Sequence, residues 1–411
     1  MLPPVLRFRD LRRFYLGAVL SQTGSQFTTV AMAWQMYELT NSPLQVGLLG
    51  LCRAVPQIAL AVFGGMLADA LDRRRLLMVI QVGNCLVSTS LVLLTAARLI
   101  SPHALLAAAV LFAFGSAAET PARQAVVPNL VPAKYLAEAV ALSNTQRNVA
   151  IIVGPSLAGL ALALASPALC YAIDAASWCA MLVALLFIST PLQEARRTQA
   201  SLEALLGGIR FVRGQQVILS FMALDFGATF FGSSTALLPV YARDILRAGP
   251  IGLGVLYAAP AVGALAAAVA MSTYVRIDRA GRWVLLGVLA YGLAMTGFAL
   301  SRMLWLSVIM LAATGAGNTV SAVLRGTSNQ LLTPDYLRGR VTAVNSAFTM
   351  GGPQLGQFES GVVADMAGAP VSALTGAVAT CLLAGAIALL PHVRRFTFSV
   401  DAAPVPAVAS S

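Results

Sequence analysis

Lysine occurs once in this 411-residue chain, at Lys134, and histidine only twice, at His103 and His392. A phosphate-binding loop of the G-x4-G-K-[ST] type needs a lysine directly after glycine. Lys134 lies between Ala133 and Tyr135, so no ATP site of that kind can be assembled. Any work the chain does must draw on an ion gradient, another subunit or its substrate's own gradient. Cysteine is sparse too: Cys52, Cys85, Cys170, Cys179 and Cys381 all lie inside apolar runs, none in C-x-x-C spacing. They read as small buried hydrophobes rather than as a zinc site or a disulfide framework. With both histidines at run edges, no metal, cofactor or clustered catalytic site is expected, and the chain is not expected to be an enzyme. Charge is the third scarcity. Charged residues make up 10% of the chain, against about 25% in a soluble domain, too few to cover a surface in water. The net charge of +11 does not point to nucleic acid, because the arginines fall in short clusters between apolar runs, the pattern set by membrane orientation.

What is abundant is apolar length. Hydrophobic residues are 58% of the chain and the mean hydropathy is +0.80, so the bilayer is the expected solvent. About 20 apolar residues cross the hydrocarbon, and twelve runs reach roughly that length. They cover about 14–37, 45–68, 75–98, 103–123, 138–165, 167–190, 217–242, 251–275, 283–301, 303–325, 341–366 and 370–391. The opening Arg7, Arg9, Arg12 and Arg13 resemble the start of a signal peptide. The run behind them is full length, however, with no A-x-A-like site, and reads as a retained first span. One long polar connector, 191–216, divides six spans (1–190) from six (217–395), leaving 396–411 as a disordered tail. Within the connector, Leu202, Leu205, Leu206, Ile209 and Val212 recur at helical spacing away from Arg210 and Arg213, predicting an amphipathic helix on the bilayer surface. With both termini inside, the cytoplasmic segments hold nearly all the arginines and the opposite face only Arg98, Arg243, Arg247 and Arg302, so both termini are expected in the cytoplasm.

The two sets of spans echo each other. The hairpin Gly65-Met-Leu-Ala-Asp69-Ala-Leu-Asp72-Arg73-Arg74-Arg75 returns about 209 positions later as Asp278-Arg279-Ala280-Gly281-Arg282, each between apolar runs and each followed by a leucine pair. Arg123 and Pro132 recur as Arg325 and Pro334, and Tyr135, Leu136, Val140 and Asn144 as Tyr336, Leu337, Val341 and Asn345. A duplicated membrane bundle of this kind is built to rock about a central site, which makes transport the leading reading.

These residues resemble the major facilitator superfamily, over essentially the whole chain. The first hairpin is similar to that superfamily's G-x-L-a-D-r-x-G-r-k signature at Gly65, Leu67, Asp69, Arg73 and Arg74, with Ala70 and Asp72 departing from it. The phrases Leu39-Thr-Asn-Ser42-Pro43-Leu44 and Pro121-Ala-Arg123-Gln resemble the branch that holds the enterobactin exporter and macrolide efflux proteins. The resemblance implies an all-α integral membrane fold: twelve transmembrane helices in two pseudo-symmetric six-helix bundles. It implies secondary transport by alternating access, with a small molecule and protons as partners, no nucleotide, and a monomer in a bacterial inner membrane. It also implies that Asp69 caps the N-terminus of the eleventh span as a cytoplasmic latch, with Asp278 and Arg282 pairing symmetrically near the fifth. Gly154, Pro155 and Gly159 resemble the tail of the antiporter motif G-x3-G-P-x2-G-G, although Ala150 and Ala158 replace two glycines; this favours export. A proton-coupled importer of a nutrient shares the same fold and motifs.

Ionisable residues inside spans are costly and mark pathways. Asp225 is the favoured proton carrier and Glu119 its rival. Arg147 lies at a depth similar to Asp225, so the two could form a buried pair, a proton switch or a plain tether. Asp174 and Glu359 fall in the outer parts of their spans, where water could reach them. A substrate cavity is expected from Gln22 and Gln26, four apart on one helical face, with Arg53, Asn144, Asn148, Asn345 and Gln354. Phe230 would offer a flat apolar wall, beside Trp34, Tyr37, Phe226, Phe231 and Tyr257. A siderophore, a macrolide and a mixed hydrophobic drug remain open as cargo.

Overall fold

The computed structural model describes residues 4–70, 72–190, 202–274 and 279–397; the side chains of 60–70, 202–206, 208, 274, 335, 343 and 347 lie outside that description. Among the described residues there is no strand. Half one comprises α1 (Arg9–Thr40), α2 (Pro43–Ala70), α3 (Arg73–Ala96), α4 (Pro102–Val126), α5 (Leu136–Leu164) and α6 (Pro167–Phe187). The connector carries α7 (Leu202–Gly214). Half two comprises α8 (Gln216–Phe231), the single turn α9 (Leu238–Val240) running into a π-turn over Tyr241–Ile245, α10 (Gly249–Tyr274), α11 (Ala280–Leu300), α12 (Leu304–Leu332), α13 (Arg338–Ala367), α14 (Ala369–Ala388) and α15 (Pro391–Arg394).

Local sequence sets the ends of these helices. Ser101 accepts the Ala104 amide at 3.2 Å and Pro102 opens the first turn of α4, the usual capping serine followed by proline. Asp72 caps α3 by accepting the Arg75 amide at 2.9 Å. Asn41 closes α1 in the left-handed region, at φ 51°, a conformation asparagine tolerates.

Eight helices (α3, α4, α5, α6, α10, α11, α12 and α14) are long and apolar enough to cross a bilayer. α1, α2 and α13, at 32, 28 and 30 residues, are as long. With α8 and its continuation these make twelve transmembrane helices. The seventh run is the exception to continuity. Expected as one helix over 217–242, it breaks after Phe231. The freed Gly232 carbonyl accepts the Tyr291 hydroxyl at 2.7 Å, and a Cβ on Gly232 would collide with the Tyr291 ring. The break is therefore held by partners from α11 and stays hydrogen-bonded, as non-helical backbone at membrane depth must be.

Half one packs α1 on α5 and α6, α2 on α4, and α3 on α4 and α6. Half two packs α8 on α13 and α14, α10 on α12, and α11 on α12 and α14. The halves meet where α2 runs along α13 and α5 along α10. Glycine pairs allow both approaches: a Cβ on Gly47 would stand 3.0 Å from the Gly361 Cα, and one on Gly159 2.9 Å from the Gly254 Cα. Small residues at such crossings let helix backbones close in without side-chain cost.

The apolar core is continuous across the halves at one end only. One cluster joins Met32, Met36 and Leu105 of half one to Leu237, Tyr241, Leu253 and Phe298 of half two. At the end bearing the termini the core splits, one cluster around Leu11, Phe14 and Leu185 and others around Phe221 and Val341. Two expectations change here. α7 does not simply lie on the bilayer: Val212 is buried with Leu337, Val341 and Val344 against α8 and α13, while Ile209 is exposed. The boundary at 395 falls inside a packed turn, where Phe396 stacks edge-on against Phe221 at 5.9 Å. Residues 398–411 lie outside the described residues.

Candidate transport pathway

Two cavities lie in half one, at its face toward half two. The larger, about 310 Å³, runs from Phe14, Arg123 and Val127 near the termini face to Gln26 and Ile151, and is lined also by Gln22, Glu119, Asn144 and Arg147. The deeper, about 220 Å³, is lined by Thr28, Arg53, Gln57, Asn84, Asp174 and, from α13, Gln354. Ser25, Glu119 and Trp178 border both. α1, α4 and α5 hold these polar side chains on their inner faces because their lipid-facing positions are taken by residues such as Leu20, Leu111 and Val153, all more than 40% exposed.

Each half is pinned by one arginine, and the two sites exchange their ligands. In half one, Arg123 pairs with Glu119, one turn back on α4, at 2.5 Å and donates to Ser21 of α1 at 2.7 Å. Gln81 of α3 donates to Glu119 at 2.8 Å. In half two, Arg325 pairs with Asp225 of α8 and donates to Ser321, one turn back on α12, at 2.9 Å. Thr349 of α13 donates to Asp225 at 3.1 Å. The carboxylate sits on the arginine's own helix in one half and on the first helix of the bundle in the other, with serine in the remaining place. Arg325 was legible in the sequence only as an echo of Arg123; the Asp225 partner, a hundred residues away, was not. The pairing of Asp225 with Arg147 is not found. Arg147 is exposed on α5, lines the larger cavity and makes no ion pair among the described residues.

Asp174 also departs from expectation. It is fully buried in the wall of the deeper cavity: α6 turns it inward, where Thr28 and Ser88 each donate to Oδ2 at 2.7 Å. Its Oδ1 faces Trp178, one turn on, without meeting hydrogen-bond geometry. Polar positions in otherwise apolar runs, Thr28 and Ser88, were the signal for this cluster. Glu359 is half-buried on α13. Of the expected cavity residues, Gln22, Gln26, Asn144, Arg53 and Gln354 line the two spaces, and Asn148 is exposed outside them. Asn345 accepts from Asn329 at 3.5 Å, and Phe230 stacks on Phe226 at 5.7 Å, both within half two. Gly154 packs on α1, where a Cβ would meet Gln26 at 2.6 Å. The Pro155 carbonyl and Gly159 face Gly254 of α10.

The end opposite the termini is closed by polar contacts between halves. The Tyr37 hydroxyl donates to Asp244, Arg243 donates to Asn41 at 2.9 Å, and Ser42 donates to Asp365 at 2.7 Å. At the termini face the hairpin arginines serve half one itself. Arg73 donates to the Ala125 carbonyl at 3.3 Å, Arg74 to Leu186 at 2.9 Å and Arg13 to Phe187 at 2.5 Å, so each binds the carbonyl end of a helix, where positive charge is favoured. The side chains of Gly65 and Asp69, and Asp278 altogether, lie outside the described residues. Arg279 precedes α11 and is exposed, while Gly281 and Arg282 form its first turn.

The fold has counterparts. A family of transmembrane secretion effectors matches residues 3–408. The multidrug efflux pump Tap of Mycolicibacterium fortuitum is 25% identical over 391 residues, covering 92% of this chain and 95% of its own. The enterobactin exporter EntS of Escherichia coli O1:K1 is 27% identical over 390 residues, covering 94% and 92%. Among solved structures, the nucleoside transporter NupG superposes with a TM-score of 0.72 at 14% identity over 93% of this chain and 98% of that one. All are transporters rather than enzymes. The chain belongs to the transmembrane secretion effector family of the major facilitator superfamily.

Proposed function

We propose that the protein is a secondary exporter of a small molecule, a siderophore or a hydrophobic drug, working by alternating access in exchange for protons. The carrying observation is the asymmetry of the central space: polar cavities that reach the termini face of half one, under a far end sealed by the shared core and the Tyr37–Asp244 contact. The arginine distribution supports termini in the cytoplasm of a bacterium and a cavity that loads from inside. In this reading the protein is a monomer in the inner membrane, with residues 1–190 and 217–395 as the rocking units. The names of Tap and EntS favour export over nutrient import.

Asp225 is the group assigned to the proton, with Glu119 as its counterpart in half one. A proton on Asp225 removes the charge that holds Arg325 and unties α8 from α12; a proton on Glu119 releases Arg123 toward Ser21 within the cavity wall. Deleting the gene should raise intracellular accumulation of labelled substrates in a screen led by siderophores and macrolides. In vesicles, drug–proton exchange should disappear in Asp225→Asn. Accumulation that falls on deletion overturns export in favour of import, and unchanged exchange removes Asp225 from the coupling.

A further inference from the structure

A groove of about 390 Å³ lies outside the transport pathway, between α11 and α14. Its walls are two matching helical stripes, Arg282, Leu285, Leu286 and Leu289 on α11 and Cys381, Ala384, Gly385 and Ala388 on α14. Both follow the i, i+3, i+4, i+7 spacing of one helix face. The stripes run in opposite directions, so Arg282 faces the Ala388 end at the termini face. There Arg394 completes the lining. The groove therefore has an apolar body and a mouth with two guanidinium groups. Among the described residues no carboxylate lines it and neither arginine has an ion pair.

This mouth is built by the fold. The chain after α14 turns back so that the Phe396 carbonyl accepts the Gly281 amide at 3.1 Å, and a Cβ on Gly281 would collide with the Val393 carbonyl. His392 is held to Ser220 of α8 at 3.1 Å, and Val393 is fully buried. These contacts fix Arg394 beside Arg282. The body is open where Gly385 leaves space, since a Cβ there would meet nothing within 4 Å. Leu286 and Trp283 flank the groove, 53% and 41% exposed, the second being the kind of aromatic that sits at a bilayer interface.

We propose that this groove holds an anionic phospholipid of the leaflet at the termini face, with the phosphate between Arg282 and Arg394 and an acyl chain along the Leu285–Leu289 stripe. A zwitterionic lipid brings no net charge to the two guanidinium groups, whereas basic pockets between helices at this depth suit anionic headgroups. The site is separate from the central cavities, so it does not depend on the direction or substrate of transport.

The test uses the full-length protein in detergent, titrated with phosphatidylglycerol or phosphatidylcholine and read by native mass spectrometry as lipid retained per chain. Phosphatidylglycerol should be retained in preference. Arg282→Gln and Arg394→Gln should each weaken that retention about fivefold and the pair about thirtyfold. Gly385→Leu, which leaves both charges but fills the groove, should weaken it as well and guards against misfolding of the charge variants. Arg302→Gln at the far face should change nothing. Equal retention of both lipids, or retention in the double variant that matches the unmodified protein, overturns the proposal. So does full displacement by inorganic phosphate, which would make the mouth a free-anion site.

Discussion

The exchange of ligands between the two arginine centres can be tested by moving a charge. Asp225 and Arg325 are 9% and 8% exposed at their side chains and tie α8 to α12. Asp225→Asn keeps a hydrogen-bonding group near Thr349 but leaves the Arg325 guanidinium with Ser321 alone. Removing one member of a buried pair costs about 3–5 kcal/mol. At roughly 2–4 °C per kcal/mol for a unit of this size, the thermal midpoint should fall on the order of 10 °C. Glu119→Gln should cost less, because its pair with Arg123 lies within one helix and Arg123 keeps Ser21 at 2.7 Å; losing a hydrogen bond to a charged group is worth about 1.5–3 kcal/mol. The decisive variant carries Asp225→Ser with Ser321→Glu, which rebuilds half one's arrangement in half two, a carboxylate one turn back from the arginine. It should recover at least half of the lost midpoint in tryptophan-fluorescence melts of the purified protein. A double variant no more stable than Asp225→Asn refutes the claim that the two centres are interchangeable solutions to one problem.

Three further outcomes follow from other contacts. Gly254→Leu should abolish transport while leaving the protein in the membrane, because a side chain there runs into the Pro155 carbonyl at 2.5 Å and the Gly159 Cα at 2.9 Å; wild-type export by this variant shows that α5 and α10 need not close. Tyr37→Phe with Ser42→Ala removes two polar contacts between halves, together about 2 kcal/mol. It should shift the equilibrium toward an open far face about thirtyfold, read as faster maleimide labelling of a single cysteine placed at Asn41, and unchanged labelling discards the clasp. Asp10 lies ahead of the first span. Partial burial raises its pKa, but hydrogen bonds from the Thr190 hydroxyl and the Thr190 and Ser189 amides, with Arg13 nearby, outweigh this and hold it below the ordinary 3.8. A depressed folded value means the contact stabilises above the unfolded value and is lost as pH falls through the folded one. Proteolysis just beyond Thr190 should therefore rise below pH ~4, and Asp10→Asn should be insensitive to pH in that window.

Most of the fold could be read from the chain because its strongest signals are one-dimensional. Apolar length, arginine asymmetry and the Arg123/Arg325 echo need no knowledge of contacts, and they gave the twelve helices and the two halves. What could not be read depends on which side of a helix faces which neighbour. Gln22 and Gln26 were named for the cavity because helical spacing places them on one face, and Gln354 for its polarity; all three line it. Asn148, one residue from Arg147, was named for its polarity alone and faces outward. The broken seventh helix was hidden because Phe230, Phe231 and Gly232 look like an ordinary apolar run; the break depends on Tyr291 reaching Gly232 from 59 residues away. Likewise Asp174 sits near the start of α6, a position that suggests water, yet α1 and α3 close over it with Thr28 and Ser88.

The two copies of the charged hairpin differ at one position for reasons the structure supplies. Asp72 and Gly281 are equivalent, and only the second keeps the glycine of the family signature. At the first copy Asp72 is exposed and caps α3 through the Arg75 amide, a role for which aspartate is well suited and glycine less so. At the second copy the Val393 carbonyl presses on the Cα, and any Cβ would push the C-terminal turn away. Among the described residues no turn of half one packs on Asp72 in this way. The glycine is thus retained where the chain folds back over the hairpin and free to change where it does not. The departure at Asp72 then gives no reason to infer a weaker hairpin in half one. It reflects a hairpin in which Arg73 and Arg74 each already reach the carbonyl end of a helix, α4 and α6.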